Sequence, residues 1–179
     1  ALARKNGVET DYPILAAIVD NQLKELSFEI YVTHNIRFID YTHSDGYRTY
    51  IRSLYFVLQK AVYDLFPQYS LVLDYSLWNG MYGELKCEEL NEEGVQKTAT
   101  MSEEEISSIR SRMQEIINAN LPFTRKKLRT AEAAEIFREN NRPEKAFLHT
   151  ERGKFFTTVY YLDGYADHFY GPLLESTGM

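Results

Sequence analysis

The side chains best suited to chemistry in this sequence are four histidines, one cysteine and a basic run near residue 127. His34, His43, His149 and His168 are scattered, and no cysteine stands beside any of them, so zinc-ligand spacing is absent. Cys87 alone excludes an internal disulfide framework and fits a reducing compartment. No GxxxxGK[ST] and no GxGxxG occurs, so no glycine-rich phosphate cradle is encoded. A nucleophile, base and orienter do not follow from spacing. Arg125, Lys126, Lys127 and Arg129 could meet phosphate, although in a chain of net charge −6 a solvated strand face is the plainer reading. Glu103 to Glu105 are explained by their favourable place at a helix N-terminus. Fourteen tyrosines and ten phenylalanines, concentrated near Tyr160 to Tyr170, suit half-buried sheet positions and pocket walls equally well.

The strongest element is GYRTYIRSLYFVLQKAVYDLFP, residues 46–67. Ile51, Leu54, Tyr55, Leu58, Ala61, Val62 and Leu65 recur at helical spacing, which predicts a buried central helix. Asp45-Gly46 supplies a turn in front, and Pro67 stops the helix. Arg52, Phe56 and Gln59 or Tyr63 form a second stripe beside the apolar one.

Before this helix, Ile14 to Val19 and Gln22 to Leu26 read as a hairpin about Asp20-Asn21. Ile30 to Val32 and Ile36 to Ile39 read as strands about a turn at Thr33-His34-Asn35. After it come a hairpin over Leu71 to Leu90 with Asn79-Gly80 inside, and an acidic loop from Glu88 to Gly94. Ser102 and Glu105 form a capping box for a helix with the stripe Ile106, Ile109, Met113, Ile116 and Ile117. Phe123 to Arg129 reads as an exposed strand, Thr130 as the cap of a helix over Ala131 to Glu139, and Ala146 to His149 and Phe155 to Leu162 as strands. The tail YADHFYGPLLESTG reads as a loop. No apolar run approaches the roughly 20 residues of a membrane span. The opening ALARKNG reads as the last turn of a helix capped by Gly7, and the whole as a piece of a longer protein.

The phrases SLYFVLQKAVYDLFP, MSEEEISSIRSRMQEIINANLPFTRKKLRTAEAAEIF and GYADHFYGPLLESTG resemble the editing-type second domain of threonyl-tRNA synthetases. Residues 8 to 45 look like the later part of the TGS domain that precedes it. The resemblance implies an α+β fold: a partial β-grasp-like sheet over 1–45, then over 46–179 a mostly antiparallel sheet around a central helix. In that family the helix carries HSxxHLL and a later loop carries a CRGPH-like motif, which together line a deacylation pocket. Here Arg52 and Phe56 stand where the two family histidines would be, and Phe169 and Leu173 where the cysteine and histidine would be. Phe and Leu neither transfer protons nor attack carbonyls, so the resemblance implies lost editing chemistry, with no catalytic residue and no metal ligand.

The wording RTYIRSLYFVL also resembles the N-terminal region of bacterial uridine kinase-like proteins, in which a P-loop nucleoside kinase domain follows. That resemblance implies a cytoplasmic accessory or regulatory region, no cofactor in this segment, and ATP with magnesium in the parent kinase. Its rival is an aminoacyl-tRNA editing module acting through a different residue set; a structural spacer or dimerisation module is the third reading. Arg52, Phe56, His168, Phe169, Tyr170 and Leu173 make up the candidate cleft, expected to hold an anion, a nucleotide or RNA. The alternative is that Phe56, Phe169 and Leu173 fill the former pocket while Arg52 reaches outward.

Overall fold

The computed structural model describes residues 11–78, 80–90, 96–140 and 142–179. The fold is α+β. Its strands are β1 (Ala16–Val19), β2 (Gln22–Lys24), β3 (Ile36–Ile39), β4 (Tyr69–Leu77), β5 (Gly80–Leu90), β6 (Gln96–Ala99), β7 (Thr124–Arg129), β8 (Phe156–Leu162) and β9 (Tyr165–Asp167). Its helices are α1 (Ser44–Leu65), α2 (Glu103–Asn118), α3 (Thr130–Glu139) and α4 (Pro143–Glu151). The strands form three antiparallel sheets in the orders β2-β1-β3, β4-β5-β6 and β7-β8-β9. Among the described residues no helix is long and apolar enough to cross a membrane.

Asp20 and Asn21 take left-handed φ values of 46° and 63°, the conformation that joins two twisted strands by a two-residue turn. β3 then pairs with β1, not with Ile30 to Val32, which form no strand. Asp20 explains this: its carboxylate accepts from the Asn35 amide at 2.9 Å and lies 2.6 Å from His34 Nδ1, so the chain is led back to β1 directly.

α1 begins two residues earlier than its sequence suggests, because His43 Nδ1 accepts from the Asp45 amide and serves as the N-cap. Gly46 lies inside the first turn, where a Cβ would stand 1.8 Å from the Asp40 carbonyl oxygen. The buried face is also rotated from the one expected. Thr49, Ser53, Phe56, Val57, Lys60, Ala61 and Val62 are enclosed, whereas Leu65 is 38% exposed. α1 is covered on more than one side: by β5 and α2 through Leu85, Ile109 and Ile116, and by β8 and β9 through Tyr160, Leu162 and Tyr165. Buried Lys60 survives there because its ammonium meets Asp64 Oδ1 at 2.5 Å, and Arg112 of α2 donates to the other carboxylate oxygen from Nε at 2.9 Å and Nη2 at 2.8 Å.

The capping box of α2 forms as its sequence requires, with Glu105 N donating to Ser102 Oγ and Ser102 N to Glu105 Oε2. Ala146 to His149 is helical, not a strand. Pro143 occupies the first turn of α4, where its missing amide costs nothing, and the short apolar run then places Ala146 and His149 inward with Phe147 and Leu148 exposed. α3 is capped at Arg129, since the Thr130 hydroxyl is committed to the Lys154 carbonyl. The tail is not all loop: Tyr165–Asp167 pairs with β8 as β9. A second, smaller core joins α3, α4, β8 and β9 through Ala133, Ala134, Phe137, Ala146, Val159 and Ala166. The turn residue Asn79, residues 91–95 of the acidic loop, and the proposed helix end at 1–7 lie outside the described residues.

Gly46→Ala separates propensity from packing. A glycine-to-alanine change within a helix ordinarily stabilises by about 1 kcal/mol, but here the new methyl must displace the Asp40 carbonyl. A net loss of about 1–3 kcal/mol is expected in denaturant unfolding, and an unchanged or raised midpoint would contradict this packing.

Candidate functional site

Two adjacent residues of α1 reach the loop that follows β9. Arg52 Nη1 donates to the Pro172 carbonyl. Ser53 Oγ accepts from the Leu174 amide at 2.9 Å and donates to the Thr49 carbonyl at 2.9 Å. Just before these anchors Gly171 has φ of 129°, and a Cβ there would lie 2.9 Å from Arg52 Cζ. The guanidinium therefore packs directly on glycine backbone. Burial lowers the Arg52 pKa from its ordinary value. The Tyr160 hydroxyl lies 3.1 Å from the Gly171 carbonyl oxygen and 2.5 Å from Glu25 Oε1, which ties the first sheet to the same loop.

The six residues expected to share a cleft divide. Phe56 is 0% exposed and its ring centroid stands 5.7 Å from Phe123, 5.8 Å from Tyr165 and 5.1 Å from Phe169. Leu173, 1% exposed, belongs to the same core. These two fill space in the core. Arg52, His168, Phe169 and Tyr170 line a groove of about 640 Å³. Arg48, Tyr55 and Gln59 complete the α1 wall, and Arg142, Lys145 and His149 form the opposite side. The second stripe read from the sequence therefore splits: Arg52 and Gln59 line the groove, while Phe56 and Tyr63 turn to Tyr165 in the core.

Below the groove lies a buried charge cluster that spacing did not suggest. Asp167, at the end of β9, is 0% exposed. Its carboxylate is met by Lys145 Nζ at 2.5 and 2.6 Å, by Arg142 Nη1 at 3.3 Å, and by the His168 amide at 2.6 Å. Burial lowers the Lys145 pKa against the pull of Asp167. For Arg142, burial works against the charge, but attraction to Asp167, Tyr165 and Glu144 overcomes it and holds the pKa above its ordinary value. The signal available in the sequence was position alone: Asp167 directly precedes His168, and Lys145 follows Pro143 by two residues, one turn before His149.

His168 has a fixed tautomer. Its Nδ1 lies 2.7 Å from the Thr158 carbonyl oxygen, which can only accept, so the proton sits on Nδ1 and Nε2 carries a lone pair. Burial lowers the His168 pKa, which favours this neutral form. Among the described residues His168 Nε2 and Gln59 Oε1 are both buried without a hydrogen-bond partner. Gln59 is only 6% exposed. His149 stands edge-on to His168 at 4.3 Å, and Tyr170 edge-on at 4.7 Å beneath the Arg152 guanidinium, 5.1 Å from its ring. Arg48 and Arg52 thus face Arg142 and Lys145 across the groove, the two acceptors lie buried behind its surface, and among the described residues no serine, threonine or cysteine lines it. Arg125, Lys126, Lys127 and Arg129 lie elsewhere, on exposed β7.

Over nearly its whole length the chain is similar to threonine–tRNA ligases. It is 26% identical over 175 residues to a probable cytoplasmic threonine–tRNA ligase of Enterocytozoon bieneusi (strain H348), which covers 96% of this chain and 26% of that protein. It is 27% identical over 180 residues to a threonine–tRNA ligase of Thermotoga neapolitana, covering 99% of this chain and 26% of that protein. A threonine–tRNA ligase of Chlorobaculum tepidum is 26% identical over 180 residues, with coverage of 99% and 26%. The chain thus spans about a quarter of the length of these relatives. No family model matches it.

The buried imidazole pair sets a pH dependence. His149, 6% exposed, has its pKa lowered to about 4 by burial and then by the charges of His168, Arg152 and Lys145. A base with a depressed folded pKa takes up its proton more readily when unfolded. Stability is therefore full above about pH 6.5 and falls as pH drops toward 4, by on the order of 2 kcal/mol from this residue. Thermal melts at pH 7 and pH 5 are expected to differ less for His149→Gln than for the parent chain; an equal difference would remove His149 from the account.

Proposed function

We propose that this chain is an editing-type module of a threonyl-tRNA synthetase-like protein that has exchanged deacylation for binding. Residues 1–45 would form a partial β-grasp unit and residues 46–179 the editing-type unit, working in the cytoplasm. The carrying observation is the different fate of neighbouring positions: Phe56 and Leu173 are packed into the core, whereas Arg52, Gln59 and His168 line an open groove. An imidazole or thiol at the first two positions could have served ester hydrolysis; an enclosed phenyl ring and an isobutyl group cannot.

The chemistry of the groove favours a nucleotide or an RNA 3′ end. Arg48 and Arg52 suit a phosphate, and the rings of Tyr55, Phe169 and Tyr170 suit a base or ribose. A nucleoside kinase parent, with ATP and magnesium in a separate P-loop domain, rests on the RTYIRSLYFVL wording and the replaced histidines. Similarity to threonine–tRNA ligases over nearly the whole chain favours the synthetase-like parent.

Two measurements test this reading. Seryl-tRNA is expected to deacylate no faster with the chain than without it; a rate above background that is lost in His168→Ala would restore catalysis to the module. In thermal melts, at least one of adenine nucleotides, uridine nucleotides and tRNA is expected to raise the midpoint, because a ligand of the folded state stabilises it. Arg48 is largely exposed and pairs with Asp45 of the preceding turn, so Arg48→Ala is expected to reduce that shift without loss of folding. Absence of any shift at millimolar ligand would leave the groove without a binding role.

A further inference from the structure

The basic run singled out in the sequence has a structural context that the cleft does not use. Among the described residues β7 is an edge strand, hydrogen-bonded to β8 alone, and Arg125, Lys126, Lys127 and Arg129 are all exposed on it. Arg125 is engaged with Glu25 at 3.3 Å. The other end of the strand meets the turn before β8, where Arg129, Lys154, Phe155 and Phe156 line a groove of about 590 Å³ together with Thr130, Ala131, Thr150 and Gly153. No carboxylate lines it, in a chain with 26 acidic residues against 20 basic ones.

The aromatic residues here are displayed, not left over. Phe155 is 87% exposed and Phe156 53%. Yet the backbone that carries them is pinned: the Thr130 amide donates to the Phe155 carbonyl at 3.0 Å, and the Thr130 hydroxyl donates to the Lys154 carbonyl at 2.5 Å. Arg129 sits opposite Phe156 in the β7–β8 register, and Lys127 Nζ lies 5.1 Å from the Phe156 ring centroid. A phenyl ring held out into water on an anchored backbone, between Lys154 and the next ring, gains nothing for folding. It is suited to stacking on a flat partner whose charge is negative.

We propose that this groove docks a single-stranded segment of RNA, with Phe155 stacking on a base and Arg129, Lys154 and Lys127 meeting the flanking phosphates. Exposed aromatics and cations also occur on surfaces that bind anionic membranes. The geometry favours RNA because Lys127 lies over the Phe156 ring while Arg129 and Lys154 line the same groove as both rings. None of the groove's residues lines the cleft between α1 and α4, so this surface stands or falls apart from the reading of that cleft.

The test is fluorescence anisotropy of the chain with a fluorescein-labelled, unstructured RNA dodecamer, across about 50 to 200 mM salt. Binding that weakens with salt is expected. Phe155→Ala is expected to weaken it at least fivefold with the salt slope unchanged, the signature of lost stacking. Arg129→Gln and Lys154→Gln are each expected to lower the slope of log K against log salt by about 0.7, the share of one phosphate contact on a single strand. All these side chains are exposed, and unchanged melting temperatures will confirm that the variants fold. Three outcomes overturn the proposal: no RNA binding at the lowest salt, RNA binding that depends on Arg52 and not on Phe155, or Phe155-dependent binding to phosphatidylserine vesicles in a chain that ignores the RNA.

Discussion

The architecture of the second half of this protein depends on the grip of α1 on the loop that follows β9. Arg52 and Ser53 are consecutive, so on a helix their side chains diverge by about 100°, and each takes a different point on the loop: the Pro172 carbonyl and the Leu174 amide. Two points fix a segment where one would leave it to swing. The loop can lie so close to the helix only because residue 171 is glycine, with a positive φ and the guanidinium against its Cα. Past the loop the tail is secured again, with the Thr177 hydroxyl donating to the Ile116 carbonyl at 2.7 Å and its amide to the Leu121 carbonyl at 2.9 Å. α1, α2 and the third sheet are thus joined through one short stretch of chain.

That grip also explains why Arg52 does not extend into solvent. A long cationic side chain commonly buries its stem and leaves its head in water. Here the head has a carbonyl acceptor and a flat backbone surface within reach. Burial lowers its pKa, but an arginine stays protonated throughout the range in which proteins fold. The Asp167 cluster solves the same problem for the opposite charge. A carboxylate with no exposed surface is tolerable only because two cations and an amide satisfy it. The cluster orients His168, the next residue, and the Thr158 carbonyl fixes its tautomer.

Sequence reasoning found elements whose signals are local. The Asp20-Asn21 turn, the Ser102 and Glu105 capping box and the period of α1 depend on neighbours within a few residues, and all three are present. It failed where distant packing decides. Ala146 to His149 has an apolar core compatible with strand or helix, and Pro143 with the pairing of Lys145 to Asp167 settles it as helix. The face that α1 buries was misjudged because a helix enclosed on several sides does not follow a single apolar stripe. At the candidate site, Arg52, His168, Phe169 and Tyr170 line one groove, but the partition between core and groove was not legible. It turns on which side of α1 each neighbour occupies, and Arg142 and Lys145 enter only through the tertiary fold.

The partition itself carries an argument about what the cleft is for. Burying a phenyl ring such as Phe56 stabilises a core by about 1.5–3 kcal/mol relative to leaving it exposed, so the enclosed apolar residues Phe56 and Leu173 need no functional explanation. The same logic applied to Gln59 and His168 gives the opposite result. Each buries an acceptor without a partner, and such a group costs about 1–3 kcal/mol compared with a satisfied one. Leu or Met at position 59 would remove part of that cost and add packing against Tyr55. Packing thus accounts for the apolar side of α1, whereas the buried acceptors of Gln59 and His168, set behind a wall that also carries Arg48 and Arg52, are not explained by packing.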